Sequence, residues 1–177
     1  MLPFAGRQAW GMQRRIPHAG ACGGRKSEVI NDVKIKKLKV IPDDRGRLME
    51  ILRADDECFE KFGQVYMTTV KPGVVKAWHY HRLQRDAFSC VKGKIRIGLY
   101  DAREKSPTFG KTMDIVTGPD DDPKLVSIPP NVYHGFKGMA REESIVINTP
   151  TEAYNHAKPD EYRIDAFKND IPFDWRK

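Results

Sequence analysis

The stretch Gly73-Val-Val-Lys-Ala-Trp-His79-Tyr-His81, with Asp86 five residues beyond it, decides how this chain is interpreted. Side chains of a β-strand alternate between its two faces, so a strand here would place His79 and His81 on the same face. A third imidazole, His134, follows later in the chain. Imidazoles and a carboxylate gathered on a sheet can bind a metal or move a proton. We therefore expect the function to reside where these four residues meet.

The composition is that of a soluble globular protein. The 177 residues are 31% charged and 40% hydrophobic, enough for one domain with a real core. No apolar run approaches the roughly 20 residues of a membrane span, so we expect no membrane partner. Five of the seven net positive charges fall within residues 1–27, which contain no acid (Arg7, Arg14, Arg15, Arg25 and Lys26). The remainder is nearly neutral, which argues against a nucleic-acid partner.

The domain organisation follows from the same composition. Residues 1–31 are predicted to be a basic disordered tail, and residues 32–177 a single domain. The three cysteines, Cys22, Cys58 and Cys90, show no Cys-x-x-Cys spacing. An odd count without such spacing favours a reducing compartment, and we expect the protein to be cytoplasmic.

Beyond the tail the pattern is all-β. Short runs of β-forming residues are separated by turn residues, which favours a sandwich or barrel. The predicted strands are Lys34–Ile41, Arg47–Leu52, Gln64–Val70, Lys76–His81, Ala87–Val91, Ile95–Tyr100, Thr112–Val116, Leu125–Ile128, Ser144–Asn148 and Tyr162–Phe167. The acidic segment Ala54–Phe62 is predicted to form a short peripheral helix.

Two motifs resemble those of the cupin superfamily. Gly73-x5-His79-x-His81-x4-Asp86-x6-Gly93 resembles the first cupin motif, with Asp in place of the usual Glu. Pro129-x-Asn131-x2-His134 resembles the second. The resemblance implies a double-stranded β-helix, or jelly roll, in which the two motifs face each other inside the barrel.

A narrower resemblance rests on four strings that occur in order: Asp44–Glu50, Asp101–Gly110, Ile128–Phe136 and Ile171–Trp175. Together they resemble the dTDP-4-dehydrorhamnose 3,5-epimerase family, over about residues 32–175. The resemblance implies an isomerase that epimerises a nucleotide-linked 4-keto-6-deoxyhexose in dTDP-rhamnose, deoxysugar or polysaccharide biosynthesis, without a cofactor. We also expect a homodimer, formed by exchange or addition of N-terminal strands around Lys34–Ile51.

The resemblance also implies catalytic roles. His79 corresponds to the general base that removes a proton beside the keto group, and His134 to a group near the reacting carbons or the developing enolate oxygen. The family's acid is a Tyr on a late strand, but the corresponding stretch Ile145–Pro150 contains none. Tyr154 is the nearest phenol and becomes the candidate acid.

Other positions correspond to substrate contacts. Arg45 and Gln64 fall where the family holds the nucleotide. Lys76 keeps the charge of a motif Arg but loses its bidentate fork. His81 and Asp86 replace residues that line the substrate site.

Two alternatives remain open. His79, His81, Asp86 and His134 supply three nitrogens and one oxygen, a first shell suited to a divalent transition metal, so the protein could be a metal-dependent cupin enzyme. The missing Tyr is also consistent with a non-catalytic cupin that binds a sugar nucleotide.

Overall fold

The computed structural model describes residues 29–177, which form twelve strands and no helix. The described residues therefore contain no helix that could span a membrane. The strands are β1 (Lys34–Lys37), β2 (Val40–Asp43), β3 (Gly46–Met49), β4 (Tyr66–Val70), β5 (Val75–Tyr80), β6 (Asp86–Lys92), β7 (Ile95–Asp101), β8 (Thr112–Thr117), β9 (Lys124–Ile128), β10 (Val132–Gly138), β11 (Ser144–Asn148) and β12 (Tyr162–Arg163).

Two five-stranded sheets form the body of the domain. The first sheet has the order β1-β9-β6-β11-β4 and the second the order β12-β5-β10-β7-β8, while β2 and β3 pair only with each other. All the pairings between these strands are antiparallel. Buried apolar side chains from both sheets form one core, which includes Phe88 and Val146 of the first sheet and Ile97 and Phe136 of the second. The all-β prediction is confirmed.

The C-terminal segment covers the outer face of the second sheet. Trp175 packs there with Trp78, Tyr100 and Ile171. A Cβ at Gly98 would lie 2.7 Å from the Trp175 ring, so the absence of a side chain at Gly98 makes room for the indole. This packing explains why β7 is buried on both faces.

The predicted helix at Ala54–Phe62 is wrong. Residues 54–58 form turns instead, closed by backbone hydrogen bonds from Asp56 to Arg53 and from Phe59 to Asp56. The Asp56 carboxylate accepts the Arg53 N–H at 2.8 Å and the Lys36 ammonium at 2.5 Å. An Asp that bonds the local backbone competes with helix formation, and a nine-residue helix has little stability of its own.

Most predicted strand bounds differ from the observed ones by one or two residues, and the predicted strand Arg47–Leu52 ends three residues earlier, at Met49; two predicted strands differ more. The run Lys34–Ile41 divides into β1 and β2, which belong to different sheets. The break occurs at Leu38, whose N–H donates to the Pro123 carbonyl and whose side chain is buried. The last predicted strand is shorter than expected and ends at Arg163.

Strand β10 was not predicted, although it carries His134. Its two glycines resemble turn residues in the sequence, but Gly135 serves a close approach between strands. A Cβ at Gly135 would lie 2.3 Å from the Ala77 Cβ on β5. The glycine is therefore required by the contact between β10 and β5.

The folded domain begins before the predicted boundary at residue 32. Ile30 is fully buried in the core, and the Asn31 N–H donates to Thr108 Oγ1 at 2.9 Å. Residues 29–31, which were assigned to the tail, therefore belong to the domain. The disorder predicted for residues 1–28 lies outside the described residues.

Candidate active site

Strand β5 directs His79 toward the space between the sheets, and His81, directly after the end of β5, points the same way, as the alternation predicts. The intervening Tyr80 stacks on Tyr162 with ring centroids 5.0 Å apart, and Trp78 packs on Trp175 at 4.9 Å on the outer face. These aromatic contacts anchor the outer face of β5. They fix the direction in which the two imidazoles point.

His134 of β10 lies directly beside His79, because the two residues are partners in the β10–β5 register. Their ring centroids are 4.1 Å apart. The register shifts between His134 and Phe136, at the position of Gly135. The bulge and the glycine together bring the two imidazoles into contact.

Asp86 reaches the same point from the first sheet. Its Oδ2 lies 3.0 Å from His134 Nε2 and 3.3 Å from His81 Nε2, and its Oδ1 accepts the Gln84 side-chain amide at 2.8 Å. Burial alone would raise the pKa of Asp86, but the hydrogen bonds from His134 and His81 outweigh burial and hold it well below its usual range. The carboxylate is therefore ionised.

The Nδ1 atoms of His134 and His81 face backbone carbonyls. His134 Nδ1 lies 2.9 Å from the Val132 carbonyl oxygen, and His81 Nδ1 contacts the Asp160 carbonyl oxygen. A carbonyl can only accept, so His81 donates through Nδ1 to Asp160 as well as through Nε2 to Asp86. Burial lowers the pKa of His81, but the hydrogen bond to Asp86 raises it by more than burial lowers it. The net effect is a raised pKa, which favours the imidazolium. The charge of Asp86 is thus balanced inside the site.

His79 has different surroundings. Burial lowers its pKa well below the usual value, and the neighbouring His134 lowers it further. Within residues 29–177, neither His79 ring nitrogen forms a hydrogen bond. His79 is therefore a neutral imidazole with a lone pair available to a substrate.

Asp160 was missed by the sequence analysis. Its carboxylate accepts the backbone N–H groups of Arg82 and Leu83 at 2.9 and 2.8 Å, which fixes the turn between β5 and β6. Its carbonyl contacts His81. Asp160 is 79 residues away from His81 in sequence, and no local motif marks it.

Two further residues directed toward the space between the sheets were also missed. Arg163 of β12 is the register partner of His79, so its side chain leaves the sheet on the same face. Tyr66 of β4, in the opposite sheet, accepts a hydrogen bond from the Asn148 side-chain amide at 2.8 Å. Burial and the charge of Asp86 raise the pKa of Tyr66 to about 12.

The remaining predicted residues lie in different places. Lys76 extends from β5 to the opposite sheet, where its Nζ donates to Thr68 Oγ1 at 3.1 Å. Arg45 lies at the tip of the β2–β3 hairpin, is 83% exposed and pairs with Asp43. Gln64 is half-buried just before β4.

Tyr154, the candidate acid, is not brought into this group. It lies on the loop after β11, is 45% exposed and packs edge-on against His156. In the part of the chain that the structure describes, it makes no contact with the four clustered residues.

The clustered residues also meet the requirements of a metal site. The ligand atoms of His79, His81, Asp86 and His134 all lie within 4.8 Å of one another. The carbonyls that hold the Nδ1 atoms of His81 and His134 leave both Nε2 atoms directed inward, as in metal sites whose outer partners orient the ligands. The donor set therefore fits a divalent transition metal.

Comparison with known proteins identifies the family. One curated relative is the probable low-salt glycan biosynthesis epimerase Agl13 of Haloferax volcanii, which is 42% identical over 82% of this chain and 94% of the relative. Another is the spore coat polysaccharide biosynthesis protein SpsL of Bacillus subtilis, which is 40% identical over 83% of this chain and 97% of the relative. A solved dTDP sugar isomerase from Desulfovibrio desulfuricans superimposes with a TM-score of 0.78 at 33% identity, covering 83% of this chain and 92% of the other. The cupin-type fold is thereby confirmed. Residues 27–177 match the model of the dTDP-4-dehydrorhamnose 3,5-epimerase family, and the chain belongs to that family.

Proposed function

We propose that this isomerase epimerises a dTDP-linked 4-keto-6-deoxyhexose by removing a proton from a carbon next to the keto group. The observation that carries the proposal is His79, a neutral imidazole with a depressed pKa and no hydrogen-bond partner among residues 29–177. A general base must be unprotonated and within reach of the carbon acid. His79 meets the first requirement, and its open ring nitrogens leave room for the second.

The network around Asp86 supports the next step. Removing the proton moves negative charge onto the keto oxygen and forms an enolate. Positive charge held nearby without reorganisation stabilises such a developing anion. The imidazolium favoured at His81 supplies that charge, and Asp86 and the Asp160 carbonyl hold the ring in place. His134 contacts the His79 ring and Asp86, so it orders the base and the network together.

Cationic side chains favour a nucleotide-linked substrate. Lys76 and Arg163 lie on the same face of the second sheet as His79 and can approach a diphosphate. Arg45 and Gln64 are proposed as further nucleotide contacts. The two curated relatives are named for glycan and spore coat polysaccharide synthesis, which favours a role in surface polysaccharide or deoxysugar biosynthesis. A cytoplasmic location remains our proposal from the cysteine pattern.

Solvent exchange tests this function directly. Incubated with a dTDP-4-keto-6-deoxyhexose in heavy water, the wild type should incorporate deuterium at C3 or C5, as mass spectrometry and NMR would show. His79→Asn should slow the exchange by about 10²–10⁴-fold, because the base is lost. His156→Asn, which changes an exposed loop imidazole in the same way, should leave the rate unchanged. Tight binding without exchange by the wild type would favour the non-catalytic sugar-nucleotide binder instead.

A metal-dependent reaction is the second candidate, favoured by the four ligand atoms within 4.8 Å of one another. A bound divalent metal would polarise the keto group as a Lewis acid, and His79, His81, Asp86 and His134 would hold it. Elemental analysis of protein purified without chelator decides between the candidates. Stoichiometric metal that is lost in His81→Ala would support the metal enzyme, whereas exchange activity that survives exhaustive chelation would support the metal-free base.

A further inference from the structure

Epimerisation needs a proton donor as well as a base. The base removes a proton from one face of the sugar, and inversion requires that a proton return to the opposite face. The donor must therefore face the base across the bound sugar. Tyr154, the phenol expected from the sequence, is exposed on a loop and contacts His156 instead.

The register of the first sheet places another phenol opposite His79. Phe88, Asn148 and Tyr66 are successive partners across β6, β11 and β4, so their side chains share one face of the sheet. Phe88 identifies this face as the inner one, because its ring lies 6.5 Å from the His79 ring and 5.5 Å from the His134 ring between centroids. Tyr66 therefore points inward from the first sheet, while His79 points inward from the second.

Hydrogen bonding leaves the Tyr66 proton available. The Asn148 Oδ1 accepts the Ala87 backbone N–H at 2.9 Å, which orients the amide so that its nitrogen donates to the Tyr66 oxygen at 2.8 Å. The phenol oxygen is thus an acceptor in this contact. Among the described residues no acceptor takes the hydroxyl proton, which remains free for a substrate.

The surroundings of Tyr66 keep that proton on the phenol oxygen. Burial, reinforced by the Asp86 charge, raises the pKa of Tyr66 to about 12. The phenol is therefore fully protonated at neutral pH. Tyr66 is also 39% exposed, so solvent can return a proton after each turnover.

We propose that Tyr66 is the general acid of the reaction, an inference that rests on the proposed epimerase function. In the donating step the Tyr66 O–H bond breaks and a C–H bond forms at the enolate carbon, using the electron pair of the enolate double bond. The keto group is restored and a phenolate remains. Water then protonates the phenolate, and the His79 imidazolium releases its proton to solvent.

The test separates exchange from inversion. With the keto sugar in heavy water, the Tyr66→Phe variant should still incorporate deuterium into the recovered starting sugar, because His79 can still remove the proton and form the enolate. Formation of the inverted product should fall by about 10²-fold or more, because the donor on the opposite face is missing. Tyr162→Phe, which removes a phenol from the outer face of the second sheet, is the matched control and should match the wild type in both measurements.

The outcomes are distinct. Exchange by the wild type supports the epimerase function whatever Tyr66 does, and a Tyr66→Phe protein that inverts as fast as the wild type would overturn the assignment of Tyr66 alone. Loss of inversion in Tyr154→Phe but not in Tyr66→Phe would likewise overturn it in favour of Tyr154. Absence of wild-type exchange on any nucleotide-linked keto sugar would overturn both proposals. Retained exchange in Tyr66→Phe also shows that the variant folds.

Discussion

At Asp86 a single buried oxygen serves two imidazoles, and this arrangement couples stability to pH. The pKa of Asp86 is held below its usual range, so its contribution to stability is present above about pH 3.9 and is lost as the pH falls. The pKa of His81 is raised, so its contribution is complete below about pH 6.5 and is lost as the pH rises through the raised value. The two contributions overlap between about pH 4 and pH 6.5.

Asp86→Asn should therefore destabilise the fold most within that overlap. Removing one partner of a buried ion pair costs roughly 3–5 kcal/mol. Urea unfolding of both proteins from pH 4 to pH 9 would measure the difference, which should narrow toward pH 9. Asp55→Asn breaks the exposed pair with Arg53 and should cost far less stability, because water screens exposed charges. A difference between wild type and Asp86→Asn that is the same at pH 5 and pH 9 would contradict the coupling.

The sequence predicted the four clustered residues because each lies in one of two short motifs. His79 and His81 need only strand alternation, and the cupin-like spacing supplies Asp86 and His134. The sequence did not indicate Tyr66, because its role depends on Asn148, which is 82 residues away. The two residues meet through a strand register that no local pattern specifies. Tyr154 was chosen for its proximity in sequence, which does not determine its proximity in space.

At the scale of elements, β10 shows why glycine misleads a sequence-based prediction. The segment around Gly135 was not predicted as a strand, yet the glycine lies inside β10, where a Cβ would meet Ala77 Cβ at 2.3 Å and the Lys76 carbonyl oxygen at 2.6 Å. Glycine occurs both in turns and inside strands where another backbone approaches closely. Only the position of the neighbouring strand distinguishes the two cases. Strand β11, which contains no glycine, was predicted with its observed bounds.

Gly135→Ala should push β10 away from β5. We expect a loss of about 1–3 kcal/mol of stability, measured by urea unfolding, because the added methyl overpacks a buried contact. Deuterium exchange should fall as well, since His134 moves away from His79. Adding Ala77→Gly removes the nearest clashing atom and should restore part of both losses, while the Lys76 carbonyl contact remains. Unchanged stability in Gly135→Ala would show that the strands can separate without cost.

At the scale of the whole molecule, the described chain leaves two apolar surfaces incompletely covered. Strand β4 pairs with β11 on one side only and forms an edge of the first sheet. The β2–β3 hairpin pairs only with itself and exposes Ile41 and Leu48 at 45% and 56%. Met67 on β4 is 60% exposed. An open strand edge and exposed apolar side chains are surfaces that a second copy can cover.

We expect a homodimer in which the hairpin of one protomer covers the edge of its partner. Leu48→Lys combined with Met67→Lys should yield a monomer in light scattering at micromolar concentration, because two charges cannot be buried there without partners. Val116→Lys places a charge on a side chain exposed at 39% on β8 and should leave the wild-type mass unchanged.

Arg45 lies at the hairpin tip and is 83% exposed, so pairing would carry its guanidinium onto the partner, consistent with its proposed nucleotide contact. The monomeric variant should accordingly show a raised KM for the nucleotide sugar. A wild-type protein that is monomeric at micromolar concentration would contradict this arrangement.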